Sequence, residues 1–320
     1  MASRSRWRID SRAAALALAA LLAGCHGPAT AGKKPAPRPA TATAPEARPD
    51  DEIIVAGQRV HTGTRVVTWL EPGGYNAYTN PKGYAARVLP GPARPGHAPT
   101  RAELQRTIDQ FVLHYDDCGL SRRCFEVLQQ RNLSVHFLLD VDGTIYQTLD
   151  LRERAAHATV ANDRSIGVEI ANIGAFPPAE ARKVFAEWYE RTQAGQVRLR
   201  FPPSAGPPKI LTPGFAGRPE RPEPVRGTVQ GKSLEQYDFT PEQYAALIKL
   251  TAALCRTFPR ITCDCPRDTA GRPLGHRLPE AALADFHGVL GHCHIQANKV
   301  DPGPALQWDA VLNGARRLNP

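Results

Sequence analysis

The 320-residue sequence has no apolar run long enough to cross a bilayer as a helix. Its one candidate, Ala13 to Ala23, falls well short of the ~20 residues a spanning helix needs, and no second apolar span follows. There is no HExxH motif, which removes the signature of the helix-borne zinc peptidases. No internal repeat occurs. The formal net charge is +9, but no helical basic stripe and no aromatic stacking motif accompanies it, so a nucleic-acid module is excluded. Cys263 and Cys265 are separated by one residue, a spacing that does not match the usual two to four of a structural zinc site.

What is present begins with an export signal. Arg4, Arg6, Arg8 and Arg12 precede the apolar run, which ends in LLAGC at Cys25. This order of basic, apolar and small residues is a signal peptide. The small residues before Cys25 match the bacterial lipoprotein signal, in which the cysteine is lipidated and becomes the new N-terminus; an ordinary secretory signal is the alternative. His26 after it, rather than aspartate, favours the outer membrane over the inner. Residues 25–50 are dominated by Pro, Ala, Thr and Lys, with too little apolar surface to offset chain entropy, and read as a tether. Removing residues 1–24 leaves a charge of about +6, which suits polyanionic surroundings such as envelope polymers. With Cys25 lipidated, six of the seven cysteines remain, an even number that favours disulfides in an oxidising compartment. Cys118 and Cys124 are close enough for a local bridge; the pairing of Cys255, Cys263, Cys265 and Cys293 is open.

Roughly 270 residues follow the tether, enough for one core with insertions. We divide them into an N-terminal extension packing on the core, 51–99, and a catalytic domain, 100–315. Asp51 to Trp69 alternates and predicts a short hairpin. Thr100 to Arg106 is a polar segment leading into a buried strand, Phe111 to His114. A helix is expected over Arg122 to Gln130, and then a hairpin of Val135 to Val141 and Thr144 to Leu149 around an Asp142-Gly143 turn. Ser165 to Ile170 is another strand. A helix lies within Phe176 to Gln193, followed by a Pro- and Gly-rich insertion at about 195–235 that offers little periodic structure, least of all between Phe201 and Gly231. Thr240-Pro241-Glu242 starts a long apolar helix, and Pro279 to Phe286 a shorter one.

The segment Gly291 to Trp308, GHCHIQANKVDPGPALQW, carries the richest chemistry. It places an imidazole at His292, an ammonium at Lys299 and a carboxylate at Asp301 around a Pro-Gly-Pro corner. A zinc hydrolase needs about three protein ligands and one open position for water. His114, at a strand end, with His292 and Asp301 meets that need.

FVLHY, SVHFLLDVDGTIYQTLD, AAHA, NDRSIGVEI and GHCHIQANKVDPGPALQW, in that order, resemble the zinc-dependent N-acetylmuramoyl-L-alanine amidases of the type 2 amidase and peptidoglycan-recognition-protein superfamily. The resemblance covers roughly residues 100–310, interrupted by the insertion. It implies an α/β fold with a central mixed β-sheet flanked by helices and one zinc ion per chain at the floor of a groove. It places the metal ligands at His114, His292 and Asp301, the catalytic glutamate at Glu169 and the catalytic lysine at Lys299. Glu169 would take a proton from the attacking water and return it to the leaving amine; Lys299 would stabilise the oxyanion.

His294 stands where relatives often carry aspartate, and is the alternative ligand to His292. His157 resembles a groove histidine that contacts substrate, and His136 reads as structural. Cys118 and Cys124 resemble the local disulfide of the recognition proteins. The implied activity is hydrolysis of the bond between the muramyl lactyl group and L-alanine of peptidoglycan or muropeptides, by a monomer bound to membrane through its lipid alone. The competing expectation is a non-catalytic muropeptide-binding lipoprotein.

Overall fold

A strand buried on both faces has to be continuously apolar or carry its polar residues into a site, and the longest strands of this chain do both. The structure, a computed structural model, describes residues 50–91 and 96–319. The signal segment, Cys25 and the tether up to residue 49 lie outside the described residues. In chain order the elements are β1 (Glu52–Val55), β2 (Gln58–His61), β3 (Val66–Thr68), β4 (Tyr84–Ala86), α1 (Arg101–Thr107), β5 (Gln110–Tyr115), α2 (Ser121–Gln130), β6 (Phe137–Leu139), β7 (Ile145–Gln147), β8 (Glu153–Ala155) and β9 (Ser165–Ile170). They continue with α3 (Pro178–Trp188), β10 (Tyr189–Arg191), β11 (Val197–Leu199), β12 (Val225–Val229), β13 (Lys232–Gln236), α4 (Pro241–Thr257), α5 (Glu280–Asp285), β14 (Gly288–Gly291) and α6 (Trp308–Arg317).

The central sheet is mixed, with strand order β14-β5-β9-β6-β7-β3. β14, β5, β9 and β6 run parallel, β7 is antiparallel to β6, and β3 is parallel to β7. Side chains alternate across it. Phe111, Leu113 and Tyr115 of β5, Ile166, Val168 and Ile170 of β9, and Phe137 and Leu139 of β6 point into one apolar core with Leu247, Leu250 and Leu254 of α4 and Val311 and Leu312 of α6. The opposite face therefore receives His114 from β5, Ser165, Gly167 and Glu169 from β9, and the neighbouring His136. Hydrophobic alternation on one face fixes which polar residues the other face presents.

Several expectations need correction. Thr100 to Arg106 is not a bare polar lead-in: Thr100 and Glu103 form a reciprocal capping box that starts α1, a signal legible in the sequence. The helix expected within Phe176 to Gln193 stops at Trp188. Tyr189 turns extended there, and its ring packs on Tyr237 at 4.0 Å, so packing overrides helical continuation and β10 pairs with β11. Of the Asp51 to Trp69 hairpin, β1 and β2 pair as expected, but Val66–Thr68 joins the central sheet beside β7. The Pro-rich insertion opens with β11, is largely irregular from Arg200 to Pro224 and then forms the β12/β13 hairpin. Its turn places Gln230 and Gly231 at φ 51° and 71°, the left-handed pair that a tight hairpin requires.

Cys118, Cys124, Cys255, Cys263, Cys265 and Cys293 are free thiols in this structure. The Cys118 and Cys124 side chains are hydrogen-bonded to each other rather than joined, so the expected disulfide is not formed here. Cys255 and Cys263 make a similar contact. Among the described residues no helix is long and apolar enough to cross a membrane.

Candidate active site and metal centre

Parallel pairing places His114 of β5 directly beside Glu169 of β9, so the two side chains emerge side by side on the face opposite the α4/α6 core. β14 runs along the other edge of β5 and ends at Gly291 opposite Leu113. The chain then turns through His292 to His294 in a single 3-10 turn, bringing His292 against His114. The loop returns to deliver Asp301, whose bond to Pro302 is cis. A Cβ at Gly291 would lie 2.5 Å from Pro302 Cδ; only glycine lets the corner pack this closely.

Three donor atoms converge. His114 Nδ1 lies 3.0 Å from His292 Nδ1 and 2.9 Å from Asp301 Oδ2, and His292 Nδ1 lies 3.1 Å from the same oxygen. Among the described residues this buried trio is the one group of three or more such side chains close enough to hold a metal ion. At ligand bond lengths near 2.0 Å a tetrahedral edge is about 3.3 Å, so the spacing suits a small divalent ion. The far nitrogens agree. His292 Nε2 is 2.6 Å from Gln296 Oε1, an acceptor that keeps the proton on Nε2 and frees Nδ1. His114 Nε2 is 3.0 Å from His157 Nδ1. With Nδ1 of both ligands turned inward and Nε2 held from outside, the donor set fits zinc.

Electrostatics follow from burial. Burial and the neighbouring His292 lower the His114 pKa to about 4, outweighing Asp301, so the ring stays neutral and able to coordinate. Burial alone would raise Asp301, but its contacts with His114 and His292 hold it well below the usual carboxylate range. Glu169 is the reverse case. Burial first, then Asp301, Asp116 and Asp117, push its carboxyl well above the ordinary value, and its Oε2 is buried without a hydrogen-bond partner. An unpaired buried carboxylate oxygen beside a metal cluster is the mark of an acid or base kept for chemistry. Lys299 and Glu169 line the same pocket of about 100 Å³ as the three ligand residues.

His294 does not join the cluster. Its Nδ1 accepts from the Gly291 N–H and its Nε2 faces the Leu274 carbonyl, with Trp308 beside the ring; it is a core histidine. His136 is buried as well. Its Nδ1 accepts from the Gly167 N–H and its Nε2 meets the Glu153 carbonyl. Burial and then Arg87 lower its pKa to about 3. His157 lines the pocket and lies between His114 and Ser165, whose Oγ is 3.2 Å from its Nε2. A Cβ at Gly167 would come within 2.5 Å of His157 Nδ1. The glycine of SIGVEI is there to admit this ring.

Sequence reading missed the residues that tie the loop down. Gln230, in the turn of β12/β13, directs its Nε2 at the carbonyls of Cys293, Gln296 and Lys299 at 2.7, 3.1 and 3.1 Å. Gln236 of β13 donates to the Pro302 carbonyl and accepts from the Ala305 N–H. The insertion thus braces the loop that carries His292 and Asp301. No motif marks Gln230, because a hairpin turn amide has no local signature of the distant carbonyls it serves. Asp117 and Arg131, also on the pocket wall, were likewise not singled out.

The family model described as N-acetylmuramoyl-L-alanine amidase matches residues 104–304. A search of curated proteins finds no match. Among solved structures, the chain is similar to a selenomethionine derivative of AmpD at 19% identity, covering 73% of this chain and 93% of that one, with a TM-score of 0.32. AmiD from E. coli, solved with anhydro-N-acetylmuramic acid-L-Ala-D-gamma-Glu-L-Lys, matches at 18% identity over 73% of this chain and 66% of that one, with a TM-score of 0.36. The endolysin amidase LysCS of Clostridium intestinale URNW matches at 15% identity over 80% of this chain and 95% of that one, with a TM-score of 0.35. The family match spans well over half of the 320 residues and contains every residue of the cluster, so the chain belongs to the N-acetylmuramoyl-L-alanine amidases of the Amidase_2 family.

Proposed function

We propose that the protein is a zinc-dependent amidase of the cell envelope that cuts the amide between the lactyl group of N-acetylmuramic acid and L-alanine. The observation that carries this is the convergence of His114 Nδ1, His292 Nδ1 and Asp301 Oδ2 beside an unpartnered Glu169 carboxylate oxygen. His114, His292 and Asp301 would hold the ion, which supplies a lowered pKa for an attacking water and polarisation of the scissile carbonyl.

The chain's own residues do the rest. Glu169 accepts a proton from the attacking water and returns it to the departing L-alanine nitrogen, which must leave as a neutral amine. Burial, with Asp301 adding to it, raises the proton affinity of Glu169, which suits a group that takes up a proton and hands it on. Lys299 places its ammonium at the pocket wall, where it stabilises the negative charge that grows on the carbonyl oxygen. His157 orients His114. The positive mature charge draws the enzyme toward anionic wall polymers. The signal ending at Cys25 supports an enzyme outside the cytoplasm on a lipid anchor, acting as a monomer.

The test is to incubate the purified protein with peptidoglycan and with a soluble muropeptide, with and without chelator, and to weigh the products. Peptides with a free L-alanine N-terminus that disappear on chelation are expected. Turnover that survives complete metal removal would overturn the zinc reading, and cleavage within the stem peptide would overturn the bond assignment.

A further inference from the structure

Arg87 is the most deeply buried cation among the described residues, 4% exposed. It lies just beyond β4, in the N-terminal extension and outside the residues 104–304 that the family model covers. No carboxylate lies within ion-pairing distance of it among the described residues. The two terminal nitrogens instead address four backbone carbonyls: Nη1 donates to Asn162 at 3.2 Å and Asp163 at 3.0 Å, and Nη2 to Glu153 at 2.9 Å and Ser165 at 3.1 Å. The four carbonyls all lie in the segment that runs from β8 to the start of β9, and Nη2 also lies 3.2 Å from His136 Nε2.

That segment contains His157. Two of the residues gripped by Arg87 are the ones that fix it. Asn162 Oδ1 accepts from the backbone N–H groups of His157 and Ala158 at 3.1 and 2.6 Å, and Ser165 Oγ meets His157 Nε2 at 3.2 Å. The ring's other nitrogen contacts His114. If His114 turns Nδ1 toward the metal, its Nε2 carries the proton and donates to His157 Nδ1, which obliges His157 to donate from Nε2 to Ser165. The Ser165 hydroxyl then serves as the acceptor for the His157 ring, while Asn162 holds the backbone that carries it. Buried cations are costly unless their donors are satisfied; Nε has no partner, and the bonds of the two terminal nitrogens converge on the outer support of one ligand.

We infer that Arg87 is a positioning residue for the metal centre: its guanidinium clamps the Glu153–Ser165 segment so that His157 holds His114 in the orientation and tautomer that bind the ion. This rests on the metal reading given above. It makes the N-terminal extension a working part of the site. Lysine cannot replace the arginine, because one ammonium has three donors at a single point and cannot reach four carbonyls spread over a planar fork.

The experiment is zinc affinity of the metal-free full chain, measured by competition with a chromophoric chelator alongside Tm, for wild type, Arg87→Ala, Arg87→Lys and Ser165→Ala. Loss of an outer support of this kind typically weakens metal binding by about 10–100-fold. We expect that loss in Arg87→Ala, its partial reversal by millimolar free guanidinium but not by methylammonium, no restoration in Arg87→Lys, and a smaller loss in Ser165→Ala. If Arg87→Ala does not fold, Arg87→Lys, which keeps charge and bulk, carries the test. A folded Arg87 variant that binds zinc as tightly as wild type would overturn the inference while leaving the metal reading intact. Failure of the wild type to bind any divalent ion would overturn the metal reading itself, and the inference with it.

Discussion

The two halves of the catalytic cluster are secured in different ways. His114 and Glu169 stand on adjacent parallel strands of a six-stranded sheet, where their spacing is fixed by the backbone ladder and by the apolar face packed on α4 and α6. His292, Lys299 and Asp301 stand on a loop between β14 and α6, where no ladder reaches. The loop is held by side chains from elsewhere: Gln230 on three of its carbonyls, and Gln236 on the Pro302 to Ala305 corner. A sheet positions a ligand through many shared bonds; a loop depends on a few, each of which can be removed by itself. The loop half should therefore be the half that single substitutions loosen.

The most damaging change is predicted at the junction of the halves. Asp301→Ala removes the one anionic ligand, and metal content by atomic absorption should fall to background with activity lost; a stoichiometric ion in this variant would show that the ligand set is wrong. Glu169→Gln keeps the shape and the ladder, so zinc should remain while kcat falls by about 10²–10⁴-fold. Full turnover there would remove Glu169 from proton transfer.

The comparison itself is probed by two milder changes. Gly167→Ala puts a methyl group 2.5 Å from His157 Nδ1 and should lower zinc affinity by roughly tenfold through the outer support of His114, with hydrogen exchange of the 293–301 loop unaltered. Gln230→Ala leaves three loop carbonyls without their side-chain donor, a cost of about 1–3 kcal/mol. It should speed exchange and proteolysis in that loop while β5 and β9 stay protected. Equal loosening of both halves in either variant would break the distinction.

The smallest effect is a pH effect on the sheet side. Burial pushes Asp140 up to about 7, with Asp142 adding to it and the Val141 N–H opposing. The folded state then holds this proton more tightly than the unfolded chain, whose carboxyl titrates near ~3.9. The contribution to stability is full below about pH 4 and is lost as pH rises through about 7. Asp140→Asn should flatten that dependence, raising Tm by a few degrees at pH 8 and by little in acid; a variant less stable than wild type at pH 8 would contradict it.

Much of this was legible in order. β5, β9, the β6/β7 hairpin and α4 follow from apolar runs, an Asp-Gly turn and the Thr240-Pro241 start, and the five ordered motifs that carry the resemblance contain every residue of the metal cluster. The choice of His292 over His294 rested on the resemblance alone, because both precede the same loop. The structure turns His292 to the cluster and buries His294 against Leu274 and Trp308. The contacts of His157 with His114 and Ser165 were not legible, because a motif shows which residue is present, not which neighbours its ring nitrogens meet.

By itself the sequence determined the strands at β5, β6, β7 and β9 and the chemistry of the cluster, because alternation and turn residues act over a few positions, whereas the places of Val66–Thr68 and Gly288–Gly291 in the sheet were set by tertiary pairing. Tertiary structure alone decided that Gln230, from the insertion, and Arg87, from the N-terminal extension, brace the two halves of the site. Each serves backbone carbonyls at least 60 residues away in the chain, and a carbonyl is the same group in every residue. No side-chain pattern announces it, and only folding brings the donor to it.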